Sequence, residues 1–233
     1  MNKLLTRGGI EIIAVFIGIS GGLWSEKQIE LKKTLQAEKI ALKSIRDEFV
    51  SDSTSLFEIV NSIENEQKEI SVFLKHIAGD TSLSDEKLNS LIFEMIYFAY
   101  LTYDKSVYES LIKGAGKKII QEDSVSSSIS SIYEATYKHL ENVFDMQKDM
   151  IAIRTYDAFI EGGGYLDTKQ FSISESLKIS QREMFSEILK NKKFVTQVSF
   201  HHNTNYFILN QYKWALKEVH SAIEIIENYL EHS

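Results

Sequence analysis

Apolar residues recur at every seventh position from Leu35 through Leu42, Phe49, Leu56, Ile63 and Ile70 to Ile77, a beat that predicts one long helix with a single buried stripe. The companion positions three residues on are mixed: Glu38, Ile45, Asp52, Ile59, Glu66 and Phe73. The stripe therefore reads as half a coiled-coil seam and half a bundle face. Uninterrupted from Glu26 to Ile77, the helix would run ~75 Å at about 1.5 Å per residue. The cluster Ser51-Asp-Ser-Thr-Ser55 is where it would break, because these side chains compete for backbone hydrogen bonds.

A second heptad pair lies at the other end of the chain, with Val198, Asn205, Tyr212, Val219 and Ile226 interleaved with His202, Leu209, Leu216, Ile223 and Leu230. The two patterned helices are natural antiparallel partners, and His202 with Asn205 would form a polar layer that fixes register. Between them the punctuation is helical throughout. Ser84 caps a short helix with Leu88, Leu91, Ile92, Met95 and Ala99 inward, and Thr102 or Asp104 caps Lys105 to Lys113. Asp123 opens a long helix ending at Gly162-Gly-Gly164, Ser174 caps another carrying Leu177, Phe185, Ile188 and Leu189, and Asn191-Lys-Lys193 marks a break. No stretch alternates long enough for a sheet, so the predicted class is all-α, an elongated helical bundle.

The stretch Gly8 to Trp24 differs from all of this because it has no polar face. Ile10 to Leu23 contains one ionisable residue, Glu11, and reads as a single membrane-spanning helix, with Trp24 as its interfacial anchor. Ala14, Gly18 and Gly22 recur at four-residue spacing, a small-residue ridge that lets two helices approach, and Glu11 shares that face. The predicted consequence is a homo-oligomer whose seam is Glu11, Ala14, Gly18 and Gly22. A cleaved signal segment and a buried core helix are the alternatives. The chain would then divide into an anchor at 1–25, a stalk helix at 26–78 and a bundle at 79–233 that packs back on the stalk. Lys27, Lys32, Lys33 and Lys39 follow the span, so the bundle is expected on the cytoplasmic side of a plasma (inner) membrane.

Composition narrows the function. A formal charge of −7 with no basic stripe argues against nucleic acid as partner. The absence of cysteine excludes disulfides, thiolate zinc sites and cysteine nucleophiles, and the absence of proline favours long helices. His201 and His202 lie about 100° apart on a helix, awkward for one metal, and Gly162-Gly-Gly164 lacks the Gly-Lys-Ser/Thr of a phosphate loop. No catalytic constellation or cofactor motif is present, and the chain is not expected to be an enzyme. Tyr97, Tyr100, Tyr103 and Tyr108 are an aromatic platform or, more simply, core. Val107, Tyr108, Leu111 and Ile112 form an apolar stripe before Gly114 and Gly116, which turn the chain sharply. This is a docking elbow for the bundle, or a partner-binding elbow made by Tyr108, Glu109, Leu111 and the two glycines.

Two stretches together resemble an uncharacterised family of bacterial single-span membrane proteins, known only as a domain of unknown function. The first is Glu11-Ile-Ile-Ala-Val-Phe-Ile-Gly18-Ile followed by Trp24 and Glu26; the second is Val107-Tyr-Glu-Ser-Leu-Ile-Lys-Gly-Ala-Gly116 with Ile119, Ile120 and Ile129 to Tyr133. The likeness covers residues 8–50 and 95–140, with the segment from Gly18 to Trp24 a turn shorter than in many relatives. It implies an anchor and a helical architecture and brings no catalytic residues. The expected function is a membrane-anchored, self-associating scaffold or sensor that binds another protein. The rival is a membrane effector or channel-like oligomer with Glu11 in its seam.

Overall fold

The heptad stripe forms one unbroken helix, α1, from Asn2 to Ala78. In this computed structural model residues 2–95, 101–113, 119–164 and 187–232 are described, with most side chains from Gly22 onward. The serine cluster does not break α1. Ser53 and Thr54 hydroxyls donate to the Val50 carbonyl at 2.8 and 3.1 Å, and Ser55 to that of Ser51 at 3.3 Å, so they satisfy themselves within the helix. At 77 residues α1 is roughly 115 Å long. Gly79, at φ 85°, ends it in a conformation that favours glycine.

Short helices follow. Helix α2 spans Asp85–Glu94, with the Ser84 hydroxyl accepting from Lys87 N at 3.3 Å; α3 spans Ser106–Lys113, with the Asp104 carboxylate accepting from Ser106 N at 2.8 Å. The long helix predicted from Asp123 is present but interrupted twice. It runs as α4 (Asp123–Ser131), a π-helical turn (Ile132–Thr136), α5 (Tyr137–Gln147), a second π-helical turn (Lys148–Ile153) and α6 (Arg154–Glu161). It stops at the predicted glycines, where Gly163 takes φ 97° and Gly164 N donates to Phe159 O at 2.9 Å. Helix α7 spans Lys192–His232, capped by Asn191, whose side chain accepts from Lys193 N and Phe194 N at 2.9 and 3.1 Å. The segment predicted around Ser174 lies outside the described residues, as do Gly114 and Gly116.

Three long elements make the bundle. Helix α7 runs antiparallel to α1, as Tyr229 beside Glu38, Asn205 beside Glu66 and Phe194 against Phe73 show. The α4–α6 column runs parallel to α1, with Tyr133 beside Glu48 and Tyr137 beside Asp52. The α1 stripe from Leu42 to Ile70 is buried, as are Val198, Asn205, Tyr212, Val219 and Ile226 of α7. One apolar cluster fills the middle of the bundle, and a second, built on Ile70, Phe73, Leu91, Phe159, Phe194 and Val198, closes the end nearest Ala78. Burial of each large side chain contributes about 1.5–3 kcal/mol before entropy is counted.

Helix α7 ends near Glu38, and α1 does not. From Gly22 to Ala37, α1 has no buried residue; Leu23, Ile29, Leu31 and Leu35 are exposed and Trp24 is 67% exposed. A Cβ added at Gly22 would meet nothing within 4 Å. Among the described residues no helix is long and apolar enough to cross a membrane. The stretch predicted to do so is helical in its backbone, but the side chains of Glu11 and Ala14 and the surroundings of Gly18 lie outside what is described.

Candidate functional site

The mixed companion positions of the heptad acquire a pattern in three dimensions. Every second one is a carboxylate turned inward, Glu38, Asp52 and Glu66, and at fourteen residues apart they sit about 21 Å from one another along α1. Each accepts hydrogen bonds from another part of the chain. Glu38 takes Gln121 N at 2.7 Å and the Tyr229 hydroxyl at 3.1 Å; Asp52 takes the Tyr137 hydroxyl; Glu66 takes Asn205 Nδ2 at 2.9 Å. Buried carboxylates need such partners, and each pairing fixes which residues of the neighbouring segments lie opposite α1. These acids hold the register of the bundle.

The layer at Glu66 departs from the predicted one. His201, 1% exposed, stands with Asn205 against Glu66, while His202 lies on the flank, lining a groove with Glu64 and Lys68. The reason is that α7 packs against two columns, so its buried face widens to include positions 201, 208, 215 and 222 beside the heptad residues. His201 Nε2 is 3.0 Å from Glu66 Oε1, and neither ring nitrogen makes a hydrogen bond within the described residues.

The middle layer is the richest. The π-helical turn shifts the phase of the column so that Ile132, Tyr133, Thr136 and Tyr137 all turn inward. Tyr133 donates to Glu48 Oε2 at 2.8 Å and stacks on Tyr108 of α3, ring centroids 4.3 Å apart and planes within 13°. Tyr137 meets Tyr103 at 4.3 Å and Phe49 edge-on at 6.5 Å. Tyr103, in the loop before α3, donates to Glu141 Oε1; Lys105 Nζ lies 3.6 Å from the same oxygen and 4.8 Å from the Tyr103 ring centroid.

The electrostatics follow from burial. Desolvation pushes Asp52 up to about 6 against the Tyr137 hydrogen bond, with Glu48 and Asp104 adding to the rise. Glu48 is raised by burial as well, and Tyr133 and Tyr137 are held far above the ordinary tyrosine range by burial and by the carboxylates they face. Asp52 and Tyr137 are both buried, so the carboxylate is largely desolvated and is met there by the tyrosine hydroxyl. Beside it opens a cavity of about 430 Å³, lined by Leu101, Leu140, Phe144 and the tyrosines 103, 137 and 212, with Glu141 and Lys105 at its mouth.

The predicted residues are thus scattered. Tyr108 is buried in the aromatic cluster, Val107 and Leu111 pack against the core, and Glu109 is on the surface. Trp24 stands on the uncovered part of α1, well before the middle layer begins. Glu48, Asp52, Tyr133, Tyr137, Tyr212 and Glu141 are not singled out as a site by spacing. The inward carboxylates at alternate companion positions are the available signal, since an acid recurring in an apolar stripe demands a donor opposite. Among the described residues no group of His, Asp or Glu is placed to hold a metal ion. No protein-family model, curated protein or solved structure matches the chain.

Proposed function

We propose that this chain is a membrane-anchored, self-associating helical scaffold or sensor, in which α1 carries the bundle away from a bilayer and presents it to a protein partner. The observation that supports this most is the uncovered length of α1. A lone helix is marginal in water, and its stability in proteins comes from packing an apolar face. Here Trp24, Leu31 and Leu35 continue the same heptad stripe that α7 covers from Leu42 onward, and past the end of α7 the stripe has no partner within the described residues. Residues before Gly22 would find theirs in lipid and in the small-residue ridge of Ala14, Gly18 and Gly22; Leu31 and Leu35 would find theirs in a second copy. Trp24 falls between the two, where an interfacial residue belongs.

Membrane fractionation tests this reading. The full chain is expected in the pellet and resistant to alkaline washing, and a chain lacking residues 1–24 in the supernatant with its helical circular dichroism retained. Equal partitioning of the two would refute the anchor.

A further inference from the structure

The two apolar clusters of the bundle are separate. On α1 the middle cluster ends at Ile63 and the end cluster begins at Ile70; on α7 the boundary falls between Val198 and Ile208, and on the α4–α6 column between Ile151 and Ala158. Polar side chains fill each gap: Glu66 on α1, His201 and Asn205 on α7, and Thr155 on α6, the last three no more than 1% exposed. His139 against Gln211 and Phe159 against Phe194 set the antiparallel register of the column and α7, which puts buried Gln147 opposite the turn of Asn205. The layer is sparsely bonded. Asn205 donates to Glu66, but Asn205 Oδ1, Gln147 Oε1, Thr155 Oγ1 and both ring nitrogens of His201, all shielded from solvent, make no hydrogen bond among the described residues. Such groups weaken a core where they stand. The backbone of the column also leaves the α-helical pattern here, in the second π-helical turn at Lys148–Ile153. Beyond the layer the end cluster has ties of its own. Lys87 of α2 holds Glu69 of α1 at 2.6 Å, Glu161 of α6 pairs with Lys193 of α7, and the Phe194 ring meets those of Phe73 and Phe159.

We infer that this layer is a seam at which the end of the bundle opens as one unit while the middle stays closed. The unit comprises α2, α6 and the terminal turns of α1 and α7, from Ile70 to Ala78 and from Lys192 to Val198. Regions that share an apolar cluster open together, and regions in different clusters open at different free energies. The end cluster has fewer buried side chains among the described residues, so it is the one that opens first. Helices α1 and α7 run through the seam, and opening loosens their ends without parting the bundle. It uncovers Phe73, Phe159 and Phe194, an apolar surface at the end furthest from Trp24. The seam belongs to the bundle and stands whether or not α1 enters a membrane.

Native-state hydrogen exchange in increasing urea, read by mass spectrometry on the full chain in detergent, tests this. Amides of residues 88–94, 154–161 and 195–200 should show one common protection and one common urea dependence, at least about tenfold below the protection of 125–145 and 208–226. Phe194→Ala, inside the end cluster, should lower the protection of those three segments together by about tenfold or more and leave 208–226 unchanged. Glu66→Leu combined with His201→Leu and Asn205→Leu makes the layer apolar, and should bring the three segments to within about threefold of the rest. Protection that rises residue by residue inward from Lys192, unrelated to α2 and α6, would show simple fraying and overturn the inference. So would one protection shared by the whole bundle, a Phe194→Ala effect that spreads equally to 208–226, or a step unchanged in the leucine variant.

Discussion

Replacing Asp52 with asparagine should make the protein more stable at neutral pH, although it removes the charge from the acceptor of a buried hydrogen bond. The folded-state value of about 6 lies above the ordinary value of 3.8, so the folded chain holds this proton more tightly than the unfolded chain does. Stability from this group is therefore fullest below about pH 4 and is lost as pH rises through about 6. A rise of about two units corresponds to about 3 kcal/mol at the limit, and solvent screening of a group near the cavity leaves about 1–2 kcal/mol. The introduced amide is nearly isosteric with the carboxylate, its oxygen still accepts from Tyr137, and it carries no charge to desolvate. Thermal unfolding followed by far-ultraviolet circular dichroism should show the variant about 2–8 °C more stable near pH 7.5. Near pH 4 the two proteins should converge. The wild-type midpoint should fall between those two conditions, and the variant should keep only the weaker slope due to Glu48, which burial also raises. A variant less stable near pH 7.5, or one with an unchanged slope, would refute the claim that Asp52 is desolvated at the expense of stability.

Three further outcomes are expected. Asn205→Leu should cost about 1–3 kcal/mol by leaving Glu66 without its donor, and adding Glu66→Leu should recover most of it, measured as a double-mutant cycle in urea. Gly164→Ala would drive a Cβ into the ring of Phe159, which is fully buried, and should lower stability by about 1–3 kcal/mol in the same assay. Leu31→Glu with Leu35→Glu should lower oligomer size in mild detergent without changing the helical signal, since both residues are exposed in the single chain; unchanged cross-linking between copies would place the interface elsewhere.

Much of the architecture could be read from periodicity. The heptads of Leu35 to Ile77 and Val198 to Leu230 correspond to α1 and α7; the cap at Ser84, Asp104 of the two caps offered before α3, the break at Asn191 and the stop at Gly162 to Gly164 stand where expected, while the capping role of Asn191 emerges only from the structure. What periodicity does not carry is phase between helices. The π-helical turn at Ile132–Thr136 offsets the column and brings Tyr133 and Tyr137 to face α1, and no residue in that stretch announces the extra residue per turn. For the same reason an inward acid is visible at Asp52, while its donor, 85 positions away, is not. His201 replaces His202 in the Glu66 layer because α7 sits between two columns, a fact of tertiary packing. The cavity is equally a product of packing: Tyr212 belongs to a heptad, Tyr103 to a loop and Glu141 to a third helix.

If α1 leaves the bundle to enter a bilayer at Trp24, as the proposed scaffold requires, that residue can report on it directly. With Trp214→Phe as background, Trp24 becomes the sole tryptophan of the chain. The full-length protein would be reconstituted into vesicles with nitroxide quenchers placed either at the headgroup level or deep in the acyl region. The expected result is blue-shifted Trp24 emission, quenched more strongly by the shallow nitroxide than by the deep one. Emission at the wavelength of tryptophan in water, insensitive to both quenchers, would contradict the membrane anchor.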